Sequence, residues 1–253
     1  MKEIEIGYYE VLMAVILTVL SLVLAYVKRI PLVKEISIGS IRVFVQLIAV
    51  GYLLEVIFNT RSIWLVLLAV TAMLLMGAYT AGKRAEHFKG GFSIAFISMA
   101  VGSFGTLALM MVFRIISAEA RYMIPLAGMI VNNSMNSASI TFNRIGADLK
   151  GNRLAIETAL SLGKSWQEAS RRFYREAVKA GMISIVNFLE TAGIVALPGA
   201  MTGMILAGVS PLKAVLLQII VAYMLLSSVT ITSIMAGQMA VARFFNDADQ
   251  FVG

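Results

Sequence analysis

Apolar runs of about twenty residues recur from near the start of the chain to near its end, and no other feature restricts the fold so tightly. A run of that length matches the hydrocarbon core of a bilayer, where every backbone N–H and C=O must be satisfied within the protein. The composition agrees: 59% of the 253 residues are hydrophobic and 14% are charged. A water-soluble domain carries about 25% charged residues. The expected fold is therefore all-α and polytopic, a single transmembrane domain over residues 1–253 with about seven spans. These are read as Tyr9–Val27, Ile36–Phe58, Ser62–Gly82, Phe92–Phe113, Met123–Phe142, Gly181–Gly208 and Leu212–Phe245. The opening MKEIEIGYYE is acidic and lacks the basic region of a cleaved signal peptide, so the first run reads as a retained span.

The formal net charge of +7 is explained by how the cations alternate between loops. One side carries Lys28, Arg29, Lys34, Lys83, Arg84, Lys89, eight Lys or Arg between Asn143 and Ala180, and Arg243. The other carries Lys2, Arg61, Arg114, Arg121 and Lys213, while Arg42 falls within the second span. Basic loops stay on the cytoplasmic side, which places the chain in a plasma or inner membrane with its N-terminus outside and its C-terminus inside. The surplus thus reports topology and not nucleic-acid binding. Tyr8, Tyr9, Tyr52, Trp64 and Tyr122 fall near the expected interfaces, where amphipathic aromatics anchor.

The single substantial loop, residues 143–180, reads as two amphipathic helices on the cytoplasmic face. Leu154, Ile156, Ala159, Leu160 and Leu162 group together, Gly163-Lys164-Ser165 forms a turn, and Trp166, Ala169, Phe173 and Ala177 recur at helical spacing. Ser165 with Glu168 three residues on is a capping box for the second helix. Glu157, Ala159 and Gly163 resemble the EAA-xxx-G loop of bacterial ABC permeases, although the I-x-L-P ending of that motif is absent. That resemblance implies a coupling helix seated in a groove of an ATP-binding partner, with Glu157, Ala159, Leu160 and Gly163 as the coupling residues. The rival reading lays the pair on the lipid surface, with Arg171, Arg172 and Arg175 on anionic headgroups.

Two spans are unusual. In the fifth, Asn132, Asn136, Ser139 and Asn143 follow one helical stripe, and Asn133, Ser137 and Thr141 follow the next. Amides against lipid cost several kcal/mol, so this face must meet another helix or an aqueous path. Interhelical hydrogen bonding accounts for some of these groups and a lining role for the rest. In the sixth, Pro198-Gly199 interrupts the helix just after Glu190. An intramembrane carboxylate is a candidate functional group, and broken helices line cavities. Glu190 near the cytoplasmic interface, solvated or paired with Lys179, is the alternative. Asn132, Asn133, Asn136, Ser137, Glu190 and Gln46 are the candidate translocation-path residues. Sixteen methionines scattered over the spans read as flexible filler, with a soft-metal path as the alternative. No metal ligand set is assigned.

The chain is similar to the FetB family of iron-export permeases, which includes the plant aluminium-tolerance permeases. The residues that carry the resemblance are Arg42 with Gln46–Tyr52, Ile124–Ile130 with Asn133 and Met135, Leu160–Gly163, Thr191–Gly193, Leu197–Gly203 and Met224–Ser227. Glu190 and Asn136 fall outside the family pattern. The resemblance implies a permease that dimerises, pairs with a separate ABC ATP-binding subunit carrying ATP and Mg, and exports iron or another metal ion. A nucleotide sugar or other small organic substrate is the alternative, and a secondary transporter is a further one. No Walker A sequence occurs, and the sequence lacks the paired aspartates, HExxH or Ser–His set of an intramembrane enzyme, so the chain is read as a non-enzyme binding no cofactor of its own.

The orientation is directly testable, because the chain is free of cysteine. Cysteines introduced at Ser117 and Ser165 are expected to react with a membrane-impermeant maleimide from opposite faces of an intact membrane. Labelling at position 165 from the outer face would reverse the topology.

Overall fold

The computed structural model describes residues 7–60, 62–117, 119–246 and 248–252; Lys2, Arg61, Asp247 and the side chain of Tyr8 lie outside the described residues. It bears out the all-α, polytopic expectation. Nine helices are present among the described residues: α1 Tyr8–Val27, α2 Val33–Thr60, α3 Ile63–Gly82, α4 Gly91–Val112, α5 Ala120–Gly151, α6 Arg153–Ser161, α7 Trp166–Thr191, α8 Gly199–Leu206 and α9 Pro211–Ala242. Four of them, α2, α3, α4 and α9, are long and apolar enough to cross a bilayer, and α1 adds the shorter apolar stretch Leu12–Val27.

The chain forms two compact units, Met1–Arg61 and Ser62–Gly253. In the first, α1 and α2 pack as a hairpin. Almost all of α2 is exposed, including Ile41, Phe44 and Leu47, and such a surface is stable only in hydrocarbon.

In the second unit α5 and α9 lie at the centre, with α4 and α3 on one side of them and α7 on the other. Lipid offers no hydrophobic drive between helices, so close backbone approach and hydrogen bonds must hold them. The buried faces are built accordingly. Ser134 and Ser228 share a hydroxyl hydrogen bond of 2.7 Å between α5 and α9. One turn along, Ser137 bonds to Ser233. Thr232 donates to the Ser98 carbonyl of α4 at 3.4 Å. Gly102 of α4 faces α9 so closely that an added Cβ would strike Thr232 Oγ1 and stand 2.9 Å from the Ser228 carbonyl.

At the end of the unit bearing the basic loops the packing turns aromatic. Phe88 meets Phe142 edge-on at 5.4 Å, Phe244 stacks on Phe251, and Trp166 stacks on Phe245 at 5.4 Å. This cluster folds the residues after α9 back onto the core, where Phe244, Phe245 and Phe251 are buried.

Two span assignments change in detail. The fifth span continues as helix to Gly151, and α7 is already helical from Trp166, so most of residues 143–180 is helix extension and only 152–165 leaves the bundle. The amphipathic faces allow this: Phe142, Ile145 and Leu149 stay buried beyond the expected end of the span. In the sixth span the interruption is wider than Pro198-Gly199. The helix stops at Thr191, Gly193 takes φ +83° in the turn, and Pro198 caps the start of α8.

Gly102→Ala is expected to lower stability by about 1–3 kcal/mol through overpacking against the α9 backbone. It should reduce the melting temperature in detergent. Gly39→Ala, with nothing within 4 Å of its Cβ, should not.

Candidate functional site: the helix-turn unit and the amide face

The segment between α5 and α7 is a compact helix–turn–helix. Ile156 is buried and anchors α6 to the bundle, with Leu160 packed beside it. Leu154 and Leu162 instead point away, each 78% exposed, so the five apolar residues of this helix do not share one face. The outward stripe Leu154–Thr158–Leu162 follows i, i+4, i+8 spacing. Glu157 lies beside it, paired to Arg153 at 2.7 Å, and Ala159 is half-buried. The structure therefore groups Glu157, Ala159 and Leu160 on one short helix that projects from the basic end of the bundle.

The turn has the expected chemistry. Gly163 sits at φ +83°, a left-handed conformation that a side chain disfavours. Ser165 accepts from the Glu168 N–H at 3.4 Å, while its own N–H donates to Glu168 Oε2 at 3.0 Å. The two hydrogen bonds from Ser165, backbone first, hold the Glu168 carboxyl below the usual carboxylate range. Trp166, Ala169, Phe173 and Ala177 all pack into the core, which fixes the direction in which α7 leaves the turn.

The polar residues of α5 divide between two faces. Ser134, Ser137 and Thr141 are buried, and Ser137 is engaged by Ser233. Ser137 thus takes part in the packing of α5 against α9. Asn133 is half-buried and donates to its own helix at Met129 O, 2.8 Å. Asn132, Asn136 and Asn143 lie on the outer face, exposed.

Glu190 is exposed near the end of α7. Gly181 packs on α5, where an added Cβ would strike Thr141 Oγ1 and lie 3.0 Å from Ser137 O. With a rise of about 1.5 Å per residue, Glu190 stands roughly 14 Å further along α7, away from the basic end. Eleven residues of continuous helix, roughly 16 Å, separate it from Lys179, too far for the ion pair of the alternative reading. The turn after it exposes Ile194 at 86% and Val195 at 78% and closes on itself, with the Gly193 N–H bonded to Ala196 O at 2.9 Å. Gln46 lies mid-helix in α2, in the other unit, and is exposed.

Sequence reading missed the polar seam of α4 and α9. Ser98, Ser103, Thr106, Ser228, Thr232 and Ser233 are all buried. The i, i+4 series Ser228–Thr232–Ala236–Ala240 is the signal that would have located it. Among the described residues no three His, Cys, Asp or Glu side chains gather as a metal site.

An all-α bundle with a hydroxyl-lined core, a lipid-compatible surface and a projecting helix–turn unit at its basic end is a polytopic membrane protein. The chain belongs to the family described as Uncharacterised protein family (UPF0014), whose model matches residues 8–245. It is 35% identical to the UPF0014 membrane protein STAR2 of Oryza sativa subsp. japonica, over 98% of this chain and 87% of that one. It is 34% identical to the protein ALUMINUM SENSITIVE 3 of Arabidopsis thaliana, covering 94% and 87%. It is 34% identical to the probable iron export permease protein FetB of Escherichia coli strain K12, covering 95% and 93%. No solved structure matches it.

Gly163→Val forces a β-branched residue into a left-handed turn, at about 1–3 kcal/mol. Limited proteolysis is expected to cut the α6–α7 turn faster, while the melting temperature of the bundle moves little.

Proposed function

We propose that this chain is the membrane-spanning permease subunit of an ABC transporter, working as a homodimer with a separate ATP-binding subunit and exporting iron or another metal ion. The observation that carries the reading is the α6 unit: a short helix anchored by Ile156, held out by the Gly163 turn, and showing two bare leucines and a carboxylate outward. Exposed leucines at an aqueous face are stabilised by a partner's groove, and Glu157 and Arg153 add direction. One such unit per chain offers one seat, so two chains are needed for a pair of ATPases. The N-terminus lies outside and the C-terminus in the cytoplasm, following the basic loops. ATP and Mg belong to the partner, and α6 faces it from the cytoplasmic side.

Asn132, Asn136 and Glu190 are exposed on the outside of a single chain, where lipid would leave them unsatisfied. In the dimer they border the path between chains. The printed name of the Escherichia coli relative supports a metal cargo. A small organic substrate is favoured by a different observation: the α5 face offers neutral amides and no cluster of hard ligands among the described residues.

Leu154→Asp with Leu162→Asp, and separately Glu157→Lys, are expected to insert normally and to lose at least tenfold in affinity for the ATP-binding subunit in detergent pull-down. Lys150→Glu should bind as before. Full binding by both motif variants would sink the coupling role. Stimulation of ATP hydrolysis across ferrous and aluminium ions and nucleotide sugars distinguishes the two cargo classes.

A further inference from the structure

The residues after α9 close into a tight turn centred on one asparagine. Asn246 Oδ1 accepts from the Ala248 and Gln250 N–H groups at 3.1 and 2.8 Å. The Asn246 backbone N–H donates to Gln250 O at 3.0 Å, and its Nδ2 donates to Gln250 Oε1 at 2.9 Å. Asparagine suits this place because its side-chain carbonyl substitutes for a backbone acceptor. The Val252 N–H then returns to Phe244 O at 2.8 Å, and Phe245 pairs with Phe251 as an antiparallel bridge. This closure aims Phe251 back at the bundle. It is buried there, stacked on Phe244 at 6.1 Å and edge-on to Phe245 at 5.6 Å.

The neighbouring α6 depends on such support. A helix of nine residues is unstable alone, so what it touches decides where it stands. Among the described residues its side-chain hydrogen bonds stay within it: Arg153 to Glu157, Thr158 to Leu154 O and Ser161 to Glu157 O. Ile156 and Leu160 hold its inner side to the core. The segment after α9 adds a contact on each side of them. At the first turn of α6, the Arg153 guanidinium stands 5.9 Å from the centre of the Phe251 ring, within reach of cation–π attraction. Beyond the Gly163 turn, Trp166 stacks on Phe245 at 5.4 Å. Arg153 is thus held between an aromatic ring and the Glu157 carboxylate, 2.7 Å away.

We infer that Phe251 is a positioning residue for the projecting unit: through Arg153 it sets the direction of Glu157, and with Phe245 it ties the unit to the end of α9. The inference rests on the reading of α6 as the seat of an ATP-binding partner. It adds to that reading a second way for a displacement of α6 to enter the bundle. One way is α7, which follows the Gly163 turn. The other is α9, which leads directly into Phe244 and Phe245 and is paired to α5 through Ser228 and Ser233.

Hydrogen–deuterium exchange of the α6 amides, in the full chain in detergent, reads the contact without any partner. Phe251→Leu keeps an apolar side chain and removes the ring. It is expected to speed exchange over residues 156–162 by about two- to fivefold, the size of an exposed cation–π contact, while Phe251→Tyr restores protection. Arg153→Gln, at a side chain that is 59% exposed, leaves the core untouched and should speed exchange at least as much. In the Arg153→Gln chain, Phe251→Leu should then add nothing, because both substitutions remove the same contact. Affinity for the ATP-binding subunit in detergent pull-down should fall by a similar factor in Phe251→Leu and recover in Phe251→Tyr. Unchanged α6 exchange in Phe251→Leu, full additivity with Arg153→Gln, or a Phe251→Tyr chain that behaves like Phe251→Leu would each overturn the role. So would unchanged partner affinity in Phe251→Leu when Leu154→Asp with Leu162→Asp weakens it. Unchanged affinity in both chains sinks instead the coupling reading of α6, and the exchange cycle alone then decides the Arg153–Phe251 contact.

Discussion

The constraint on which this structure depends is that polar groups in hydrocarbon must find their partners inside the protein. The core of the larger unit answers it with hydroxyls. Ser134 meets Ser228 and Ser137 meets Ser233, which fixes the register of α5 against α9 at two points one turn apart. Each such bond is worth only about 0.6 kcal/mol on average. Their importance is geometric. A slide of α9 along α5 breaks both pairs and strands four hydroxyls, and Gly102 permits α4 to approach α9 only at one height.

With that register set, the rotation of α5 follows. The hydroxyl face points inward, so the amide face carrying Asn132, Asn136 and Asn143 points outward and cannot be rotated into the core without loss of the serine pairs. The same helix therefore uses two polar chemistries for two purposes. Short hydroxyl side chains fit tightly packed seams. Longer amides, with two donors and an acceptor carbonyl, stay where no neighbour within the chain can satisfy them. The buried hydroxyl of Thr141, left without a partner, shows how little slack the inner seam has.

Much of this was legible in the sequence, and the parts that were not share a cause. Helical class, the capping box at Ser165 and the turn at Gly163 follow from local rules that residue types alone express. The seven polar residues of the fifth span were also visible, but which stripe faced inward was not. Both stripes are polar, and only the serines of α9, about a hundred residues later, decide which of them is buried. The break after Glu190 was placed at Pro198 because proline is the strongest local signal. The helix ends earlier, at Thr191, since a closed turn around Gly193 satisfies its backbone internally and leaves proline free to open α8. Leu154 and Leu162 were grouped with Ile156 by spacing, yet α6 is too short to bury more than one side, and the bundle takes Ile156 and Leu160.

The continuity of α7 changes how the two candidate regions relate. Read as loop followed by span, the projecting unit and the broken segment are separate features. In the structure one helix of 26 residues runs from the turn at Ser165 to the break at Thr191. That is about 39 Å of unbroken hydrogen-bonded backbone. A helix is stiff along its axis, and this one is held at mid-length by Gly181 against α5. Axial rotation or tilt imposed at the Ser165 end is thus delivered to Glu190 and to the exposed Ile194–Val195 turn without crossing a flexible joint. The turns at its two ends each hold a glycine at positive φ, Gly163 and Gly193. Sequence hydropathy conceals this continuous member, because half of the helix is as polar as a loop.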